Sequence, residues 1–198
     1  KEKAAIMEAK RQNQSDVFQN PINSDDYLKF IVYELRPFIN KTYSTYTDPA
    51  HTVIGGSSMG GLISMYAICE YPGVFGTAAC LSTHWPGIFE MKNNPIPDAM
   101  VRYFKKNLPD PINHKILFTH GTEGLDALYG PTQKRIDQIM TKSGYKRHIK
   151  NQPLFLGSNW KTQVDQGLGH EEAIWQQQFR ENIEFLLYVN YYVIDAIH

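Results

Sequence analysis

One serine in this sequence sits where a hydroxyl can become a nucleophile. Gly56-Ser57-Ser58-Met59-Gly60 puts Ser58 at the centre of a G-x-S-x-G pattern. Thr52-Val53-Ile54 before it reads as a short strand, and Leu62, Ile63, Met65, Tyr66 and Ile68 after it read as a helix. Strand, tight turn and helix is the context in which the pattern makes a nucleophile elbow rather than a turn that only packs. The turn is strained and the strand and helix pass close together, so the positions two before and two after the serine call for glycine. A helix that starts at the serine aims its unpaired N–H groups at developing negative charge. The N–H of Met59 is therefore the expected first oxyanion donor.

A serine hydroxyl needs a base to take its proton, usually a histidine held in one tautomer by a carboxylate. One recurring chain order is serine, then acid, then histidine, each on a loop after a strand. Residues 115–120 (KILFTH) read as a strand, with Glu123 and Asp126 in the turn after it. Residues 160–164 read as another, followed by Gly167-Leu168-Gly169-His170. His170 is the candidate base, Asp126 the preferred acid and Glu123 the alternative. Glu171 and Glu172 suit the first turn of a helix, where the dipole favours acids. His84 and Trp85 follow the apolar run at 74–81, at the strand end where open α/β sheets place ligands. Trp85 is a substrate-binding candidate there, and His84 fits the base role less well than His170.

The elements that must position these residues alternate. Ser24-Asp25-Asp26 caps a helix whose apolar face would be Leu28, Ile31, Val32, Leu35, Phe38 and Ile39, with Pro37 expected to bend or end it. Helices are expected at 98–107, at 131–143 between Pro131 and Gly144, and from 171 to about 192. The last would turn Ile174, Trp175, Phe179, Ile183, Leu186 and Leu187 inward. Residues 1–14 read as a charged surface segment and 15–23 as a loop. Strands alternating with helices imply an α/β class, a mainly parallel sheet with helices on both faces.

The 198 residues are enough for one domain with a sizeable core. Lys+Arg and Asp+Glu both number 20, so the net charge is zero and no basic stripe draws nucleic acid. No apolar run approaches the ~20 residues of a membrane span. Cys69 and Cys80 read as buried small apolar residues and do not fix the compartment, and the seven histidines show no metal-ligand spacing. Acyl transfer through a serine requires no cofactor.

Together these marks resemble the esterase family of α/β-hydrolases, which includes feruloyl and acetyl xylan esterases, S-formylglutathione hydrolase, siderophore esterases and mycolyltransferases. The resemblance covers about 24–187 and rests on DDYLKFIVYELRPFI, GGSSMGGLISMYAICEYPGVFG, HGTEGLDALY and GLGHEEAIW. It implies an α/β-hydrolase fold with Ser58 as nucleophile, His170 as base and Asp126 as acid. Gly124 stands where the commoner form of the third-strand turn has its acid, so Glu123 stays open. The resemblance also implies strands and a second oxyanion donor ahead of the elbow, and the 57 residues before Ser58 hold no convincing strand. The chain is thus expected to be the C-terminal part of a hydrolase domain spanning 1–198, its elbow-strand edge covered by an N-terminal segment or by a second copy. The expected function is a serine carboxylic-ester hydrolase acting on a small-molecule or carbohydrate-linked ester, without nucleic-acid or membrane partners. A binding module without turnover, or an acyltransferase with the same residues, are the alternatives.

Overall fold

The computed structural model of the chain describes residues 23–89, 92–149, 153–154 and 157–188. The expected surface segment at 1–14, most of the loop after it and the end of the last helix lie outside these residues. In chain order the elements are α1 (Ser24–Phe30), a π-helical turn (Ile31–Leu35), α2 (Arg36–Thr42), β1 (Val53–Ser57), α3 (Met59–Glu70), β2 (Thr77–Leu81), α4 (Ile96–Asn107), β3 (Lys115–Gly121), α5 (Gly130–Lys142), β4 (Trp160–Asp165), α6 (Glu172–Glu181) and α7 (Ile183–Leu187). The four strands make one sheet in the order β1-β2-β3-β4, every neighbouring pair parallel.

The strands split their side chains between two cores, as a period of two requires. Ala78, Cys80, Ile116 and Phe118 face Leu62, Met65 and Ile68 of α3 and the inner sides of α4 and α5. Ala79, Leu81 and Leu117 face Phe185 and Leu186 of α7. Both faces are therefore covered, and every residue of β2 is buried, which is why it reads as an unbroken apolar run. Truncating the fully buried Phe118 to alanine would cost about 3–5 kcal/mol. Cys69 and Cys80 are buried free thiols, and burial pushes the Cys80 thiol far up.

Two local expectations are corrected and one is narrowed. Pro37 does not end its helix. The backbone stays helical through it: the wider turn at Ile31–Leu35 precedes it and α2 carries the proline in its first turn. Leu28 and Val32 are buried as expected, but Leu35 and Phe38 are 40% and 61% exposed. The last helix breaks at Asn182, whose side chain donates to Gln163 Oε1 and to the Gln178 carbonyl. That break resets the helical phase, so Phe185 and Leu186 turn inward while Phe179 and Leu187 are exposed.

Candidate active site

The loops at the C-terminal ends of the four strands meet at one edge of the sheet, where parallel α/β folds gather their chemistry. Ser58 joins β1 to α3 with φ 57° and ψ −119°, a conformation that a residue with a side chain rarely adopts. The surroundings hold it there. Its N–H donates to Leu81 O at 2.9 Å, and its carbonyl accepts from His84 N–H at 3.2 Å. A Cβ on Gly56 would stand 2.7 Å from the Gly60 carbonyl carbon, so glycine is required at that position. A Cβ on Gly60 would meet nothing within 4 Å, which corrects the expectation that both glycines are sterically required.

His170 reaches Ser58 from the loop after β4. Its Nε2 lies 3.0 Å from Ser58 Oγ, and its Nδ1 lies 2.6 Å from Asp126 Oδ1. The carboxylate oxygen accepts, so Nδ1 carries the proton and the Nε2 lone pair faces the serine hydroxyl. Asp126 is fully buried. Its other oxygen accepts from the Gly121 N–H and the Ser82 hydroxyl, both at 2.7 Å. Glu123 is exposed and points no oxygen at the imidazole; its backbone N–H donates to Leu168 O at 3.0 Å.

Gly121 lets the acid and base loops meet. A Cβ there would stand 2.0 Å from the Leu168 carbonyl oxygen, in the loop that presents His170. Thr122 N–H also donates to that oxygen, and Thr122 Oγ1 accepts from Gly167 N–H. Met59 is the first residue of α3, so its N–H has no partner inside the helix and is available beside Ser58.

The wall around the imidazole is aromatic. Trp175 meets the His170 ring edge-on at 4.8 Å, and Tyr129 does so at 5.8 Å. Tyr129 Oη is also 2.8 Å from His84 Nδ1. Burial, and then the charge of Asp126, push the Tyr129 phenol well up. Burial pulls His84 below the usual imidazole range; a bond with the Ile88 backbone opposes this, and nearby His170 adds to it.

Trp85 is not a substrate-facing residue. It is 1% exposed, donates from Nε1 to Gln133 Oε1 at 3.1 Å, and packs on Phe104 and Phe118. Sequence reasoning missed Ser82 and Gly121, whose partners lie on other loops and leave no local pattern. A cavity of about 240 Å³ between α5 and β4 contains none of these residues. Among the described residues no cluster of metal-ligating side chains is present, and no helix is long and apolar enough to cross a membrane.

A parallel sheet with helices on both faces and a strained serine between strand and helix defines the α/β-hydrolase fold. The chain belongs to the family described as "Putative esterase", whose model matches residues 4–186. It is similar in structure to a ferulic acid esterase, with a TM-score of 0.60 and 19% identity, over 81% of this chain and 60% of that one. It is likewise similar to the enterobactin esterase of Shigella flexneri, with a TM-score of 0.61 and 17% identity, over 82% of this chain and 38% of that one. In sequence it is 37% identical over 60 residues to the uncharacterized protein YbbA of Bacillus subtilis, covering 30% of this chain and 24% of that protein. The chain spans less than two thirds of the length of each of these relatives.

Proposed function

We propose that this chain hydrolyses carboxylic esters through an acyl-enzyme on Ser58. The observation that carries the reading is the continuous relay from Ser58 Oγ through the His170 ring to Asp126, at 3.0 and 2.6 Å. His170 Nε2 takes the hydroxyl proton as Oγ attacks the carbonyl carbon, and the carbonyl electron pair moves onto oxygen. Met59 N–H donates to that oxyanion, a contribution of about 10²–10³-fold. When the intermediate collapses, the leaving alcohol takes the proton from His170. Water then gives a proton to His170 and attacks the acyl carbon; as the acyl–Oγ bond breaks, His170 returns that proton to Ser58 Oγ and the acid leaves. Asp126 holds the imidazole in the required tautomer throughout. No step calls for a cofactor.

Trp175, half-buried and edge-on to the imidazole, supports an aromatic acyl group as the preferred substrate. Ferulic acid and enterobactin, the compounds named for two relatives, carry this reading in the same direction. A panel of aryl and aliphatic esters on the wild type and Ser58→Ala tests the proposal. The expected result is turnover fastest on aryl esters and a loss of roughly 10⁶-fold in the variant. Equal rates in both proteins would overturn the assignment of Ser58. Product formation only with an added alcohol would assign acyl transfer instead, and ligand binding without turnover would assign the binding module.

A further inference from the structure

We infer that Ser82 is a positioning residue of this site, acting on Ser58 and His170 only through the Asp126 carboxylate. The inference rests on the ester-hydrolase reading above. Ser82 is the residue after β2, one step past the last paired position, Leu81 with Thr119. It is fully buried, and its φ is 40°. Its N–H donates to Thr119 O at 2.7 Å, and its hydroxyl donates to Asp126 Oδ2 at 2.7 Å.

The backbone at this position favours glycine, because a Cβ in the left-handed region crowds its own chain. A serine held there in spite of that preference has its hydroxyl fixed on the acid of the relay. Rotation of an aspartate carboxylate about its last torsion is soft and roughly two-fold. The Gly121 N–H alone gives Oδ2 one anchor. The Ser82 hydroxyl adds a second from the neighbouring strand, so Oδ1 is left facing His170 Nδ1. Two strained serines, at the ends of adjacent strands, therefore set the two ends of the relay: Ser58 the nucleophile and Ser82 the orientation of the acid.

Two variants separate the hydroxyl from the backbone. Ser82→Ala removes the hydroxyl and keeps a Cβ in the left-handed region. Ser82→Gly removes the hydroxyl and relieves the backbone. Steady-state kinetics on an aryl ester, thermal melting, and the downfield proton signal of the His170–Asp126 hydrogen bond are read in the full chain. Both variants are expected to lose about tenfold in kcat, the scale of one hydrogen bond to a charged group, with KM changed by less than about twofold. Both should shift or broaden the downfield signal, and the glycine variant should melt above the alanine variant. Wild-type kcat and an unmoved signal in Ser82→Gly would overturn the inference, leaving Ser82 a structural residue. A wild type without turnover, but with a signal that moves in both variants, would overturn the hydrolase reading and leave the positioning role standing.

Discussion

The elbow strand has two sides, and they are built differently. Toward β2 it is paired along its whole length, from Val53 with Thr77 to Ser57 with Leu81. The bonding continues past the strand end through Ser58 N–H to Leu81 O and His84 N–H to Ser58 O. Beyond it, Ser82, Gly121, Asp126 and His170 are tied to one another across three loops. On the other side no described residue pairs with β1, and Gly55 is exposed. The segment before it leaves Tyr33, Phe38, Tyr43 and Tyr46 between 60% and 74% exposed. The nucleophile's geometry is thus set from the paired side, while the other side of β1 is an unpaired edge among the described residues, and exposed apolar surface lies in the segment before it; both features favour association.

This contrast can be broken first on the paired side. Asp126→Asn should lower kcat by about 10⁴-fold, roughly 5.5 kcal/mol of barrier, by fixing the wrong imidazole tautomer. Glu123→Gln should stay within about twofold, so equal losses in steady-state assays would break the assignment of the acid. Gly121→Ala should cost about 4 kcal/mol of stability and most of the activity, since its Cβ would overlap the Leu168 carbonyl. Gly124→Ala, three residues on, has φ 57° but open space, and should cost only about 1–2 kcal/mol with activity kept. Denaturant melts of the two variants compare a steric requirement with a conformational one.

A smaller effect is expected from pH. Burial holds His84 below the usual imidazole range, so the unfolded chain binds a proton that the folded chain refuses. Stability from this group is complete above the unfolded value of about 6.5 and declines as pH falls through it toward the folded value. Melting temperature should therefore drop on acidification, and His84→Gln should flatten that dependence. An unchanged slope in the variant would remove His84 from the account. In the segment before β1, Phe38→Lys should alter stability by less than about 0.5 kcal/mol. It should, however, lower self-association measured by sedimentation; an unchanged mass distribution would show that this surface does not mediate association.

Much of this was legible in the residues because it is local. The elbow needs only a glycine two residues before Ser58, a strand before it and a helix after it, and all three leave short-range patterns. KILFTH and the run ending in AACL stand out because strands buried on both faces are continuously apolar. What stayed hidden was set at long range. The bond from Ser82 to Asp126 spans 44 residues, and Trp85 is fixed by a glutamine 48 residues away. The break at Asn182 depends on Gln163, on another element, so helical periodicity alone carried the last helix straight through it. The sequence leaves both bending and ending open at Pro37, because no composition signal marks the π-helical turn that carries the helix on past it.

The most direct test of the central claim is intact-mass and peptide mapping after treatment with a fluorophosphonate, which captures a serine only when a base activates it. The account predicts one adduct per chain, on Ser58, and its loss in His170→Ala. An unlabelled wild type, or an adduct on any other residue, would contradict it.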